Sequence, residues 1–304
     1  MGYFKKKILI ISPVHPTLIS KLKKKKYQFK YFPKISNGKL ESESTDAFII
    51  VLRSGVKLTS KIINKSNKLK YILRAGSGLD NIDLIAAKKR NIKVFNLPSL
   101  NSQSVAEFGI GLMLAASRNI SKADNEIRRN LWNKNELYGY ELNKKTLGIV
   151  GMGNIGGKIA KIAKAFSMKI IANVKNRKKK RAVSVKLVSL NHLFKVSDFI
   201  SFNVPLNNLT KNLLNKKNCK LLKPNSVIIN LSRGGVVDEK VLYSLLKNKK
   251  IFAAATDVFK TEGKKNKLFS LRNTVLTPHI GAMTYDAQNL IAEKAFYKIS
   301  KLLK

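Results

Sequence analysis

The 304-residue chain predicts an α/β protein of two doubly wound domains, on three observations. Short apolar runs recur with helical stretches between them, the pattern of parallel strands covered by helices on both faces. The runs fall into two sets, separated by one long apolar-periodic stretch, "SQSVAEFGIGLMLAASRNISKADNEIRR". A final amphipathic segment, "TYDAQNLIAEKAFYKISKLLK", follows the second set and is expected to pack back on the first domain. The expected domains are therefore residues 1–97 with 283–304, and residues 98–282.

The first set reads "KILIIS", "DAFIIVL", "LKYILR" and "IKVFNL"; the second reads "TLGIVGMG", "MKIIANV", "DFISFNV", "SVIINLS", "FAAATDVF" and "NTVLTPH". The long stretch between them reads as one linker helix, with Ser102 or Ser104 placed to cap it. Hydrophobic residues make up 44% of the chain, the share of an ordinary globular protein. The opening "MGYFKKKILIISPVHP" has too few apolar residues for a signal-peptide core and reads as the first buried strand. No apolar run approaches the roughly 18 residues that span a bilayer, so no membrane partner is expected. The single Cys219 cannot form an internal disulfide, which fits a reducing compartment, and the expected location is cytoplasmic.

The formal net charge is +43 from 60 Lys and Arg against 17 Asp and Glu. Such a charge admits an anionic partner such as nucleic acid. Proteins that read phosphates and bases lean on arginine forks. Here only ten of the cations are arginine, and lysine is spread along the whole length with abundant Asn and Ile. That mix reads as compositional drift giving a solvated lysine surface, and nucleic-acid binding is not expected. No metal site is expected either.

Gly151, Gly153 and Gly156 form G-x-G-x-x-G directly after the strand "LGIVG" and open the helix "IGGKIAKIAKAF". The glycines serve a tight turn, close approach of backbone to a pyrophosphate, and tight packing of helix on strand. The helix N-terminus adds N–H groups and a positive dipole end for the phosphates. A dinucleotide is the expected ligand. An acid normally follows about 20 residues later to take the ribose 2′-hydroxyl. Here the strand runs instead into Asn173, Val174, Lys175, Asn176 and Arg177. Basic groups there suit a 2′-phosphate, whereas Asn173 or Asn176 would hydrogen-bond a bare ribose.

Three stretches of the second set carry candidate chemistry. "INLSRGGVVDEKVL" puts Arg233 in a glycine-rich turn after a strand, "TDVFKTEGKK" gives Asp257 and Glu262, and "LTPHIGAMT" gives His279 at a strand end. In an open α/β sheet such positions converge on the ligand crevice. A His, a carboxylate and an arginine suit carbonyl–alcohol interconversion. The imidazole exchanges the hydroxyl proton, Glu262 orients it, and Arg233 grips a carboxylate and polarises the carbonyl. His192 and His15 have no evident partner, although His15 lies in a loop placed to line a cleft.

Taken in order, "VLRSGVKLTSKII", "LKYILRAGSGLDNIDLIAA", "NLPSLNSQSVAEFGIGLMLAASR", "LGIVGMGNIGGKIAKIAKAFSMK", "FNVPLNNLTKNLLN", "VIINLSRGGVVDEKVL" and "LTPHIG" resemble the D-isomer-specific 2-hydroxyacid dehydrogenase family over nearly the whole chain. The resemblance implies a Rossmann dinucleotide-binding domain inserted in a flavodoxin-like substrate domain, and an NAD(P)-dependent oxidoreductase acting on a 2-hydroxy acid. It implies Arg233, Glu262 and His279 as the catalytic trio. Gly153, Asn154 and Ile155 would contact the pyrophosphate region. Asp257 would meet the nicotinamide amide, and Val204, Pro205 and Thr210 would flank the adenine side. Ser232 and Gly281 complete the cofactor set, with Val174 and Lys175 at the ribose. Gly76, Ser77 and Gly78 would cradle the substrate carboxylate. Arg53 and Arg74 match arginines of phosphoglycerate-type members and would take a substrate phosphate. The cofactor implied is NAD(H), and Val174 with Lys175 and Arg177 resembles NADP(H)-using hydroxypyruvate and glyoxylate reductases of the family. A dinucleotide-sensing corepressor on the same fold is the more distant alternative.

The resemblance further implies a homodimer through the dinucleotide-binding domain, with contact along Leu112–Arg129 and Lys134 reaching a neighbouring subunit. Two positions depart from the pattern: Ser99 stands where glycine is frequent, and Gly263 where proline usually follows the glutamate. The chain stops about twenty residues past the His279 loop, so feedback through an appended regulatory domain is not expected.

Overall fold

A computed structural model describes residues 6–176, 178 and 183–304. Arg177, one of the expected ribose-side cations, lies outside the described residues. The chain forms two compact units, Met1–Asn101 with Met283–Lys304, and Ser102–Ala282. The first crossing thus falls four positions beyond residue 97. The segment 102–127, expected as a linker, belongs to the second unit.

The first unit runs β1 (Ile8–Ile10), α1 (Pro16–Lys24), β2 (Phe29–Tyr31), α2 (Asn37–Ser44), β3 (Ile49–Leu52), α3 (Ser60–Lys65), β4 (Tyr71–Arg74), α4 (Leu84–Lys89) and β5 (Lys93–Asn96). Its five parallel strands lie in the order β2-β1-β3-β4-β5. Side chains alternate across a strand, so each central strand serves two cores. Ile8 and Ile10 of β1, with Ile49 and Val51 of β3, meet Leu18 and Leu22 of α1 on one face. Leu9, Ile50 and Leu52 meet Leu40, Ile62, Ile63 and Ala86 on the other.

The second unit runs α5 (Ser102–Ser117), α6 (Ile120–Ile127), β6 (Thr146–Val150), α7 (Asn154–Ala165), β7 (Lys169–Asn173), β8 (Lys186–Leu187), α8 (Leu190–Val196), β9 (Phe199–Phe202), β10 (Val227–Asn230), α9 (Glu239–Lys247), β11 (Ala253–Thr256) and β12 (Thr274–Leu276). The last helix, α10 (Tyr285–Leu303), returns to the first unit. It packs Ile291, Ala292, Ala295 and Ile299 beside α1. The second sheet is parallel, in the order β12-β11-β10-β9-β6-β7-β8. Helices α5 and α7 cover one face through Val105, Met113, Ile159 and Ala163. Helices α8 and α9 cover the other through Leu193, Phe194, Leu242 and Leu246.

Two sequence expectations need correction. The single linker helix is two helices, because Asn119 adopts left-handed backbone (φ 53°) between α5 and α6. Ser104 does not cap α5: the helix already begins at Ser102, and the buried Ser104 hydroxyl donates to Gly281 O at 2.7 Å. Among the described residues no helix is long and apolar enough to cross a membrane.

Candidate active site

Strand order decides which candidate residues meet. Arg233, Glu262 and His279 follow β10, β11 and β12, three adjacent strands of one parallel sheet, so all leave its carboxyl edge side by side. The Arg233 turn is fastened to the next strand's loop. A Cβ on Gly234 would run into the backbone of Phe259 and Lys260, so glycine is what lets the two turns touch. Arg233 Nη1 donates to Ser232 O at 2.7 Å, and Ser232 Oγ donates to Asn230 Oδ1 at 2.8 Å.

His279 Nδ1 lies 2.7 Å from Glu262 Oε1, with 29% of the imidazole side chain exposed. A carboxylate accepts only, so Nδ1–H donates to it and leaves Nε2 as the basic nitrogen. The loop that carries His279 is anchored by Asp257, which is buried after β11. Asp257 Oδ1 accepts from Thr277 Oγ1 at 2.6 Å and Ile280 N at 2.8 Å, and Oδ2 accepts from Gly281 N at 2.8 Å. An ionised carboxylate has about four acceptor positions, and three of them are taken. This anchoring role was not visible in the sequence, where Asp257 was matched to a ligand contact alone. Gly263, in the position usual for proline, has φ 76°, which a proline ring fixed near −65° could not adopt.

The glycine turn follows β6 at the same carboxyl edge. Gly151 has φ 96°, and a Cβ there would press on Asn203 O and Val204. A Cβ on Gly156 would strike Gly151 O, so helix and turn pack backbone to backbone. Gly153 caps α7 in extended backbone with no capping side chain, and a Cβ there would meet nothing within 4 Å. The first N–H groups of α7, at Asn154, Ile155 and Gly156, therefore face an open cradle. These residues fit a pyrophosphate.

At the ribose position Val174 is half-buried and Lys175 exposed. Asn173 donates through Nδ2 to Val188 O at 3.0 Å, and Asn176 Oδ1 accepts from Lys178 N at 3.0 Å. Both amides thus already hold the local backbone. Thr210, expected on the adenine side, is tied within its own turn: its hydroxyl donates to Pro205 O at 2.5 Å. Pro205 is exposed and Val204 half-buried at the end of β9.

In the first unit Arg53 follows β3, and Arg74 ends β4. The Arg53 guanidinium reaches Pro13 O at 3.4 Å and Met283 Sδ at 3.5 Å. It has no carboxylate partner among the described residues, and burial lowers its pKa from the ordinary arginine value. It lines a cavity of about 400 Å³ together with His15 and Tyr285. The Arg74 guanidinium lies against Gly76, where a Cβ would overlap it. The N–H groups of Ser77 and Gly78 find no acceptor among the described residues. A smaller cavity of about 240 Å³ lies at the opposite edge of the second sheet, lined by Lys145, Asp198 and Lys223. Its acid is already paired, with Lys223 Nζ 2.9 Å from Asp198 Oδ1. Among the described residues no group of three His, Cys, Asp or Glu is arranged to hold a metal.

The sequence model described as "D-isomer specific 2-hydroxyacid dehydrogenase, NAD binding domain" matches residues 110–281. That is more than half of the chain. The chain belongs to the D-isomer specific 2-hydroxyacid dehydrogenase family. It is 42% identical over 302 residues to D-3-phosphoglycerate dehydrogenase of Methanocaldococcus jannaschii, a match covering 98% of this chain and 57% of that protein. It is 45% identical over 259 residues to hydroxypyruvate reductase of Thermotoga maritima, covering 84% of each. Among solved structures it resembles an acyclic imino acid reductase in complex with NADPH and D-Arg, at TM-score 0.89 and 32% identity, covering 98% of this chain and 97% of that one. The chain thus spans little more than half the length of the first of these relatives.

Proposed function

We propose that the chain interconverts small D-2-hydroxy acids and their 2-keto acids with a nicotinamide dinucleotide. Its preferred substrate in this reading is 3-phosphoglycerate, oxidised to 3-phosphohydroxypyruvate as the entry step to serine. The observation that carries the substrate is Arg53, a cation lining a cavity with no counter-charge among the described residues. Desolvating an unpaired cation is costly, and a substrate phosphate would remove that cost through charge-assisted hydrogen bonds. Arg74 would share the phosphate, and the N–H groups of Ser77 and Gly78, beside Gly76, would take the carboxylate.

Gly151, Gly153, Asn154, Ile155 and Gly156 would hold the pyrophosphate, Val204, Pro205 and Thr210 the adenine side, and the remaining acceptor position of Asp257 the nicotinamide amide, with Ser232 and Gly281 alongside. A nicotinamide held there would supply the acceptor for the hydride that leaves C2. Arg233 would fix the substrate carboxylate and polarise the developing carbonyl. His279 Nε2 would take the hydroxyl proton, and Glu262 would stabilise the imidazolium that results. In the reverse direction the same nitrogen returns the proton. The cofactor in this reading is NAD(H). Val174 and Lys175, in place of a ribose acid, favour NADP(H) as the alternative.

The second reading is a hydroxypyruvate or glyoxylate reductase, favoured by the same Val174 and by the likeness to the Thermotoga maritima protein. Steady-state kinetics separate the two. kcat/KM for 3-phosphoglycerate with NAD+ should exceed the values for hydroxypyruvate and glyoxylate with NADH or NADPH. Values for 3-phosphoglycerate orders of magnitude below those for glyoxylate would overturn the leading reading.

Assembly as a homodimer through the second unit is part of the proposal. Leu112 is buried in the core, so the contact would fall further along, where Ile120, Ile127, Leu131 and Trp132 are exposed. Lys134 follows directly and would reach the partner's site.

A further inference from the structure

We infer that His15 is a specificity-determining residue which, with Arg53, reads the distal anionic group of a phosphorylated 2-hydroxy acid. This rests on the 3-phosphoglycerate reading above and names a residue that the catalytic and cofactor machinery leaves unused.

His15 and Arg53 line the same cavity of about 400 Å³, and none of its lining residues is acidic. The imidazole is held in place at the start of α1: its Nδ1 lies 3.0 Å from Thr17 Oγ1 and 3.4 Å from Thr17 N. Thr17 Oγ1 gives its own hydrogen to Asn289 Oδ1 at 2.8 Å, tying the loop to α10, so it accepts from Nδ1–H. Nε2 has no partner among the described residues. With an oxyanion bound, the protonated ring would keep Nδ1–H on Thr17 and turn Nε2–H to the anion. The cavity thus holds one permanent cation and one oriented imidazole, the complement of a compact oxyanion.

The sheet supplies the spacing. Strands β4, β3 and β1 are neighbours, and Ser77, Arg53 and His15 follow their respective carboxyl ends. Neighbouring strands lie about 4.8 Å apart. The carboxylate cradle is therefore one strand from Arg53 and two from His15. A three-carbon acid with a carboxylate at one end and a phosphate ester at the other bridges these strand ends, whereas glyoxylate reaches only the first.

The test is His15→Asn in the intact enzyme. Asparagine is a good helix cap and can still accept from Thr17 N, so the fold is kept while the ring donor is lost. kcat and KM are measured with 3-phosphoglycerate and with D-glycerate, which lacks the phosphate. KM for 3-phosphoglycerate should rise about tenfold, the worth of one charge-assisted hydrogen bond. Its kcat, and both constants for D-glycerate, should stay within about twofold. His15→Gln, whose longer side chain can carry its N–H to where the ring nitrogen lay, should recover part of the loss. An unchanged preference for 3-phosphoglycerate in His15→Asn, or an equal loss on both substrates, overturns the role of His15 alone. A wild-type enzyme with no preference for the phosphorylated acid overturns the substrate reading and this inference together.

Discussion

His279 sits in left-handed backbone, φ 58°, a conformation that costs a non-glycine residue roughly 1–2 kcal/mol. The three hydrogen bonds from the 277–281 loop to Asp257 offset that cost, since bonds to a charged acceptor contribute about 1.5–3 kcal/mol each. They also fix where the imidazole leaves the chain. His279→Gln should therefore lower kcat by about 10²–10⁴-fold, the usual worth of a positioned general base, with circular dichroism unchanged. Glu262→Gln should cost less, because the amide still holds the ring while the imidazolium formed during proton transfer loses its charged neighbour. Equal losses in both variants would contradict these roles. The gathering of Arg233, Glu262 and His279 at one sheet edge was legible in the sequence because each follows a strand. Asp257 as anchor was not, since the partners of a buried carboxylate are set by tertiary packing rather than by spacing along the chain. Ser99 is similar: its φ of 71° accounts for the glycine usual there, yet only the backbone reveals it.

At the scale of elements, the second sheet is tied at its amino edge by Asp198, just before β9. Its Oδ2 accepts from Thr146 N, where β6 begins, at 2.8 Å, and Lys223 donates to Oδ1 at 2.9 Å. Burial raises its pKa, but the Thr146 N–H and the Lys223 ammonium together outweigh burial and leave it below the ordinary value. A depressed folded-state pKa means that the stabilisation is fully present above the unfolded value, about 3.9. It is lost as pH falls through the folded value. The urea midpoint should thus drop on acidification below about pH 4. Asp198→Asn should cost about 1–2 kcal/mol at pH 7 and flatten that acid limb; an acid limb of undiminished slope in the variant would show that other carboxylates carry it. The strongly apolar strands were readable from their runs. The edge strands β2 and β8 were not, because "FKY" and "KL" are too short to show a period. The break at Asn119 was hidden because α5 is apolar on nearly every side and α6 continues directly after it, with no proline or glycine between them.

At the scale of the whole molecule, the net charge of +43 leaves most lysines without a carboxylate, since there are only 17 acids. Such a field attracts anionic substrates and raises their encounter rate. It is screened as the Debye length falls from about 30 Å at 0.01 M salt to about 8 Å at 0.15 M. kcat/KM for an anionic substrate should accordingly fall several-fold across that range while kcat holds steady. A salt-independent kcat/KM would mean that the charge plays no part in capture. The two-unit plan was legible because the strand runs cluster in two sets. The first crossing alone differs, by four residues, since the second unit begins where helix α5 buries its first turn.

The hydrogen bond from Ser104 to Gly281 has an architectural consequence. It joins the first turn of the inserted unit to its penultimate residue, so the two ends of a 181-residue excursion, Ser102 to Ala282, finish side by side. A segment with adjoining ends can be cut out of its host or grafted into another loop without stretching either, and the host can be resealed by a short bridge from Asn101 to Met283. The nucleotide-binding unit is in this sense a closed excursion, its entry and its exit sharing one doorway.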